Sequence, residues 1–250
     1  MSLLPTIIVP ARLASHRFPN KLLAEIDGCP LILHTARRLS REVPEFEVFF
    51  AVDSQKLADI LTGDGYEAIL TEPELSSGTD RIAKANDALD REFVINIQAD
   101  EPLVTRAHVL ALAESISEST YPMCTLATPF SNAKDFHDPN QVKVVLNHNR
   151  SALYFSRSPI PFYREDNLTW SKKTNVSTPL KHIGMYGYDK KFLNYFLNSK
   201  EGELENVEKF KFNDGSISID ELNKDPALTG DKAILDDGYK NWRYIINQMY

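Results

Sequence analysis

Short apolar runs alternate with amphipathic segments through the first half of the chain. Four of the runs are rich in β-branched or aromatic residues and predict buried strands over 6–9, 48–52, 66–70 and 93–97. The segments that follow the strands predict helices over 31–39, 55–61, 81–89 and 109–116. Pro30 is expected in the first turn of the first helix, and Asp53-Ser54 is typical of an N-cap for the second.

This alternation predicts an α/β fold: three layers, with a mostly parallel sheet covered by helices on both faces. In such doubly wound sheets the ligand crevice lies beyond the carboxyl ends of the strands. Three polar stretches marked by Gly or Pro are expected at those ends, after Val9, around Ser76 to Arg81 and after Ile97. A ligand site is therefore predicted at this edge of the sheet.

The second half of the chain is less regular. Strands are predicted over 142–146 and 183–188, a loop or hairpin tip over 165–179, and a turn at 213–215. The segment 239–249 carries Trp242, Ile245, Ile246 and Met249 at helical spacing and predicts a final helix. Since no clear linker divides the chain, residues 1–250 are expected to form one domain.

Composition narrows the function classes. The 250 residues include 28 Lys and Arg against 35 Asp and Glu, a net charge of −7, which disfavours nucleic acid and anionic membranes as partners. The two cysteines, Cys29 and Cys124, are too few and too far apart for a disulfide framework or a thiolate zinc site. The apolar run near the N-terminus is too short to span a bilayer, and a cytoplasmic protein is expected.

A cluster of cations follows the first predicted strand. Residues 10–21 read P-A-R-L-A-S-H-R-F-P-N-K and place Arg12, Arg17 and Lys21 on one loop, with Ser15 as a neutral donor. Several convergent cations are what a triphosphate requires, but a solvated basic loop explains the charges equally well. Neither a P-loop nor a G-x-G-x-x-G motif is present, which argues against those two nucleotide-binding classes.

Two further strand-end segments each allow two interpretations. Asp100-Glu101 is placed to bind Mg²⁺, which takes one or two protein carboxylates, or to cap the next helix. Ser77, Gly78 and Arg81 allow close approach to a base or ribose, and the same residues fit a helix N-terminus.

Taken together and in order, these motifs resemble the 3-deoxy-manno-octulosonate cytidylyltransferase (CMP-Kdo synthetase) family. The similarity starts in the 10–21 loop and the A-E-I-D-G-C-P-L-I that follows it. It continues through L-S-S-G-T-D-R at 75–81, N-I-Q-A-D-E-P at 96–102 and D-P-N-Q-V-K-V-V at 138–145. It ends with A-L-Y-F-S-R-S-P-I-P at 152–161 and H-I-G-M-Y-G-Y at 182–188. Colinear matches over most of the first 190 residues are more specific than any single motif.

The resemblance implies a nucleotide-diphospho-sugar transferase-like fold, with a smaller sugar-binding and dimerisation extension, that makes CMP-Kdo and pyrophosphate from CTP and the sugar acid with Mg²⁺. It implies a nucleotide-binding half over 1–130 and a sugar-binding and dimerisation half over 131–250, in a homodimer. Arg12, Lys21 and Asp100 are the residues implied for catalysis. The nucleotide contacts implied are Arg12, Ser15, Arg17, Lys21, Ser77, Gly78, Arg81 and Gln98. The sugar contacts implied are Gln98, Arg157, His182 and Tyr186.

The chain departs from the family pattern at a few positions. Ala99 replaces the usual Gly, and Lys209 stands where the family has Gln. The metal ligands implied are Asp100 and a second carboxylate, either Asp231 or Asp237. The leading prediction is therefore a cytidylyltransferase for Kdo or 8-amino-Kdo in lipopolysaccharide biosynthesis. The alternatives are a cytidylyltransferase for sialic, pseudaminic or legionaminic acid, and a non-catalytic protein that binds a nucleotide sugar.

Overall fold

A computed structural model describes residues 4–13, 19–75, 77–118, 121–164, 178–197 and 245–247. The strands within these ranges are β1 Thr6–Ala11, β2 Glu25–Ile26, β3 Cys29–Pro30, β4 Val48–Val52, β5 Glu67–Leu70, β6 Phe93–Asn96, β7 Met123–Pro129, β8 Lys143–Leu146, β9 Ala152–Ser156, β10 Leu180–Asp189 and β11 Ile245–Asn247. The helices are α1 Leu31–Glu42, α2 Gln55–Gly63, α3 Gly78–Leu89, α4 Arg106–Glu118, α5 Ala133–His137 and α6 Lys190–Leu197, and a 3₁₀ turn covers Lys21–Leu23.

The main sheet has the strand order β11-β7-β10-β6-β1-β4-β5. Strands β6, β1, β4 and β5 are parallel, as the strand–helix alternation predicts. Strand β10 lies between β6 and β7 and is antiparallel to both, while β8 and β9 extend from one end of β10. The predicted α/β class and mostly parallel sheet are confirmed, with the antiparallel strands coming from the second half of the chain.

Alternate residues of the central strands face opposite layers. Ile7 and Val9 of β1 belong to the core formed with α1, α2 and α4, whereas Ile8 belongs to the core formed with α3 and α6. All three side chains are fully buried. A strand buried on both faces needs a continuous apolar sequence, which explains the T-I-I-V run. The predicted three-layer arrangement is therefore confirmed.

Local sequence explains where the helices begin. Ser54 caps α2 by accepting a hydrogen bond from the Leu57 N–H. Pro30 is the N-cap residue of α1, one position before the first-turn position predicted for it. None of the helices in the described part of the chain is long and apolar enough to cross a membrane.

The prediction of a final helix over 239–249 is wrong where it can be compared. Residues Ile245–Asn247 form β11, antiparallel to β7, and the other residues of that segment lie outside the described ranges. Adjacent apolar residues fit both a helical and a strand period in so short a stretch, and the pairing partner decides between them. The turn predicted at 213–215 and most of the loop predicted over 165–179 also lie outside the described residues.

Candidate active site

The carboxyl ends of β1 and β6 lie next to each other where the strand order changes direction. The chain runs from β1 outward to β4 and β5, then returns to place β6 on the other side of β1. Open α/β sheets form their ligand crevice at such a switch point. Arg12 follows β1, and Gln98 and Asp100 follow β6, so the topology brings these loops together.

A salt bridge joins the two loops. Lys21 Nζ donates to Asp100 Oδ2 at 2.8 Å, and the two side chains are 11% and 24% exposed. Lys21 opens the 3₁₀ turn, directly after Asn20 in the left-handed conformation. Two of the three residues predicted for catalysis are therefore in contact, in a place that is largely but not fully shielded from water.

The backbone after β1 is anchored by a carboxylate at the end of β4. Both Asp53 side-chain oxygens accept from the Leu13 N–H, at 3.1 and 3.0 Å. Sequence reasoning connected Asp53 only with the N-cap of α2, although a carboxylate at a strand end was the signal available for this second role. Arg12 itself is exposed, whereas Ser15 and Arg17 lie outside the described residues.

The segment at the start of α3 has a clear structural role. Ser77 Oγ accepts from the Asp80 N–H at 3.1 Å, and the Asp80 carboxylate accepts from the Ser77 N–H at 2.9 Å. This reciprocal capping box makes Gly78 the first helical residue. The interpretation as a helix N-terminus is confirmed, and the nucleotide contacts of Ser77 and Gly78 stay predictions.

Arg81 connects α3 to the end of β5. Its guanidinium donates to Thr71 Oγ1 and to the Glu72 carbonyl, and only 2% of the residue is exposed. Burial lowers the pKa of Arg81 below its ordinary value, while nearby Asp53 opposes this shift and Arg12 reinforces it. Arg81 therefore lies within electrostatic reach of the loop that carries Arg12.

Strand β10 brings a second group of predicted residues to the same edge of the sheet. Tyr186 of β10 is 1% exposed and pairs in register with Asn96 of β6. Gln98 Nε2 donates to Asn96 Oδ1 at 2.9 Å. Asn96 therefore links Gln98, in the loop after β6, with the strand that carries Tyr186.

His182 of β10 is enclosed by side chains from three strands. Its Nε2 lies 2.9 Å from Thr125 Oγ1 of β7, and its ring centre lies 4.9 Å from that of Phe155 and 5.5 Å from that of Tyr186. Burial lowers the pKa of His182 to about 3, so the imidazole is neutral at physiological pH. Sequence reasoning missed Thr125 because it did not predict β7.

Arg157 directly follows β9 and is held by two hydrogen bonds. Its Nη1 donates to the Pro139 carbonyl at 2.9 Å, and its own carbonyl accepts from Lys143 Nζ at 2.8 Å. Lys143 belongs to β8, where it pairs with Lys181 of β10. Arg157 and His182 are thus connected through one short strand.

Glu101 lies within electrostatic reach of both the Lys21–Asp100 pair and Lys181 of β10. Burial, reinforced by Asp100, raises the pKa of Glu101 to about 8, while Lys21 and Lys181 act in the opposite direction. Lys181 precedes His182 in β10, so the Lys21–Asp100 pair and the β10 residues share one electrostatic environment. Within the described ranges, no three His, Cys, Asp or Glu residues gather to hold a metal, and Asp231 and Asp237 lie outside those ranges.

Comparisons with known proteins point in one direction. A family model described as cytidylyltransferase matches residues 6–229. The 3-deoxy-manno-octulosonate cytidylyltransferase of Syntrophobacter fumaroxidans is 41% identical over 82% of this chain and 81% of its own length. The protein of the same name from Francisella tularensis subsp. tularensis is 36% identical over 87% of this chain and 90% of its own length.

A solved structure agrees with the sequence relatives. The CMP:2-keto-3-deoxy-manno-octonic acid synthetase complexed with CTP matches with a TM-score of 0.75 and 28% identity, covering 99% of this chain and 89% of the other. Since the family model spans residues 6–229 and relatives of 36–41% identity cover more than four fifths of the sequence, this chain belongs to the cytidylyltransferase family.

Proposed function

We propose that this enzyme transfers the cytidylyl group of CTP to Kdo or 8-amino-Kdo, giving the CMP-sugar and pyrophosphate for lipopolysaccharide biosynthesis. The observation that carries the proposal is the Lys21–Asp100 contact at the β1–β6 switch point, directly beside the strand that carries His182 and Tyr186. The cation and carboxylate of the Lys21–Asp100 pair suit a triphosphate and its metal ion, and the buried polar side chains of β10 beside them suit a sugar acid.

The nucleotide side of the reaction requires charge neutralisation. The anomeric hydroxyl oxygen of the sugar attacks the α-phosphorus and gives up its proton to solvent. The bond from that phosphorus to the oxygen that bridges it to the β-phosphorus breaks, and pyrophosphate leaves with this oxygen and the electron pair of the bond. Lys21 and Arg12, with Arg17 and Ser15, would hold the triphosphate, and Ser77, Gly78 and Arg81 would lie near the cytidine. Fixed cations lower the barrier because they stabilise charge that develops on the leaving group.

The chemistry of Asp100 fits Mg²⁺. This ion usually binds through one or two carboxylates together with substrate phosphates, and Asp100 provides a partly exposed carboxylate next to the phosphate-binding lysine. Asp231 or Asp237 would provide the second carboxylate. When bound, Mg²⁺ would neutralise phosphate charge and ease the approach of an oxygen nucleophile.

The sugar acid would lie against β10 and the end of β9. Arg157 is suited to the carboxylate because its planar guanidinium donates two parallel hydrogen bonds. Burial raises the pKa of Tyr186 well above its ordinary value, so its hydroxyl keeps its proton. Gln98, His182 and Tyr186 would then meet the neutral groups of the sugar.

Pyrophosphate release measured with CTP and a panel of sugar acids tests the proposal. We expect turnover with Kdo or 8-amino-Kdo and little with sialic, pseudaminic or legionaminic acid. Turnover restricted to one of the latter acids would overturn the choice of sugar. UTP in place of CTP is the matched nucleotide control and should give a much lower rate.

The Asp100→Asn variant separates an enzyme from a non-catalytic binder. It preserves the size of the side chain but removes its negative charge, so turnover should fall about a hundredfold or more while CTP binding is largely kept. A wild-type protein that binds CTP tightly and releases no pyrophosphate with any sugar would contradict the enzymatic function.

The oligomeric state and the cellular location of the protein are also part of this proposal. We expect a cytoplasmic homodimer, as the family resemblance implies. Light scattering should give twice the chain mass of 28.3 kDa, and cell fractionation should recover the protein with the cytoplasm.

A further inference from the structure

Helix α1 is attached to both of the segments that meet in the salt bridge of the candidate site. The segment that carries Lys21 is attached at the start of the helix, where the Leu31 N–H donates to the Ala24 carbonyl at 2.9 Å. The segment that carries the other partner is attached one turn further along, where Thr35 Oγ1 donates to the Ala99 carbonyl at 2.8 Å. The first two turns of one helix therefore hold both sides of the pair.

The Thr35 hydroxyl donates outside its own helix. A threonine inside a helix commonly donates to the carbonyl four residues earlier, as Thr62 Oγ1 of α2 does to the Ala58 carbonyl at 2.9 Å. Thr35 is fully buried and Ala99 is 3% exposed, so bulk water does not reach their contact. Among the described residues, Thr35 is the only donor to the Ala99 carbonyl, and a buried carbonyl that loses its donor is costly.

Ala99 belongs to the tight turn that presents Asp100. The Glu101 N–H donates to the Gln98 carbonyl at 3.1 Å, and the Val104 N–H donates to the Glu101 carbonyl at 3.2 Å. These backbone bonds fix the internal shape of the turn, but they do not fix its position relative to the rest of the molecule. That position depends on the bonds that leave the turn.

Two side chains of α1 make such bonds. Thr35 holds the beginning of the turn, and Arg38 Nε donates to the Val104 carbonyl at its end, at 2.8 Å. Arg38 and Thr35 are three positions apart and therefore lie on one face of the helix. The Thr35 bond is the nearer of the two to Asp100, because it acts on the residue directly before it.

We propose that Thr35 is a positioning residue, which holds the Asp100 carboxylate against Lys21 by fixing the Ala99 carbonyl. The part of this inference that concerns the reaction rests on the proposed function. Thr35 contacts no reacting group itself. A displacement of about 1 Å at a reacting group can cost about a hundredfold in rate, and because Arg38 still holds the other end of the turn, we expect about tenfold.

The Thr35→Val variant of the full-length protein tests the effect on the reaction. It keeps the shape of the side chain but removes the donor, so kcat should fall about tenfold while the KM values for CTP and Kdo change less than about twofold. Thr35→Ser keeps the hydroxyl and should keep kcat within about twofold of the wild type. Thr62→Val is the matched control: it removes a threonine hydroxyl bond within α2 and should leave kcat unchanged.

Hydrogen–deuterium exchange followed by mass spectrometry tests the positioning without substrate. Peptides that cover 98–105 report the amides of the turn, and we expect them to exchange about tenfold faster in Thr35→Val than in the wild type. Peptides from α2 should be unchanged in this variant. Thr62→Val should show the reverse pattern, with any faster exchange confined to α2.

The possible outcomes separate the positioning role from its alternatives. Unchanged kcat and unchanged exchange in Thr35→Val would overturn the proposal, as would a less stable Thr35→Val protein with the kcat of the wild type, since the role would then be structural only. If Thr35→Val does not fold, Thr35→Ala takes its place, and equal kcat values for the Ala and Ser variants would overturn the proposal. A wild type with a protected 98–105 turn and no turnover with any sugar acid would instead refute the proposed function and leave the attachment by Thr35 standing.

Discussion

Gly187 is expected to be indispensable for the packing of α4 against β10. It lies opposite Cys124 of β7, and a Cβ atom at this position would come within 2.7 Å of Cys124 Sγ and 3.1 Å of Ile116 Cβ. Cys124 and Ile116 are each 1% exposed, so neither side chain can move into solvent. Forcing a methyl group into such a core costs about 1–3 kcal/mol. We therefore expect Gly187→Ala to lower the free energy of unfolding by about this amount.

A double-mutant cycle with Cys124 isolates the clash. Cys124→Ala removes the Sγ atom and should cost about 1 kcal/mol through lost burial. In the double variant the added Cβ atom no longer meets Cys124 Sγ at 2.7 Å. The free energy of unfolding should therefore fall by less than the sum of the decreases in the two single variants, with a difference of about 1 kcal/mol or more.

Urea unfolding followed by circular dichroism gives all four free energies. Gly184→Ala is the matched control, because an added Cβ at Gly184 of the same strand meets nothing within 4 Å. The reasoning is refuted if Gly187→Ala is as stable as Gly184→Ala, or if the effects at Gly187 and Cys124 simply add.

Three further predictions concern the site and its supports. Lys21→Met should lower kcat/KM about a hundredfold or more through lost stabilisation of phosphate charge. It should also cost about 1–3 kcal/mol in stability, because it leaves the Asp100 carboxylate, only 24% exposed, without its cation. Ser77→Ala should lose about 1 kcal/mol by breaking the capping box with Asp80, as urea unfolding would measure. His182 takes up a proton on unfolding between its folded pKa of about 3 and its unfolded value of 6.5, so its contribution to stability is full above 6.5 and lost as pH falls. When the pH is lowered from 7 to 5, the free energy of unfolding of His182→Gln should therefore fall by about 2 kcal/mol less than that of the wild type.

Each of these predictions has a control. Ser77→Thr keeps a capping hydroxyl and should retain most of the stability that Ser77→Ala loses. His34→Gln is the comparison for His182→Gln, and equal pH profiles for the two variants would argue against the buried neutral imidazole. Lys21→Met with unchanged kcat/KM would remove Lys21 from the phosphate site.

The sequence alone predicted the parallel part of the sheet well, because strands buried on both faces leave an unmistakable apolar run. Strand β4 has its predicted bounds, Val48–Val52, and α2 begins at the predicted Gln55. The antiparallel part was harder to predict. The segment Met123–Pro129 mixes sulfur, hydroxyl and apolar side chains without clear alternation, and its partners β10 and β11 lie far away in the sequence.

The contacts within the candidate site were also hard to predict from the sequence. Charge and strand-end position drew attention to Lys21 and Asp100, but their 2.8 Å contact across 79 positions depends on the loops after β1 and β6. Motifs such as S-S-G-T-D-R fit two roles, and the structure confirms only the capping role of Ser77. Thr125 could not be found from the sequence at all, since its contact with His182 depends on the pairing of β7 with β10.

The insertion of β10 places the residues predicted to bind the sugar beside those predicted to bind the nucleotide. Because β10 pairs directly with β6 through Tyr186↔Asn96, one strand spacing of about 4.8 Å separates the strand that carries His182 and Tyr186 from the strand that leads to Gln98 and Asp100. The same strand is packed on α4 at Gly187, so the position of these predicted sugar residues depends on that core contact. A substitution that displaces β10 is therefore expected to raise the KM for the sugar before it affects the KM for CTP, whose predicted ligands lie mostly on the loops after β1, β5 and β6.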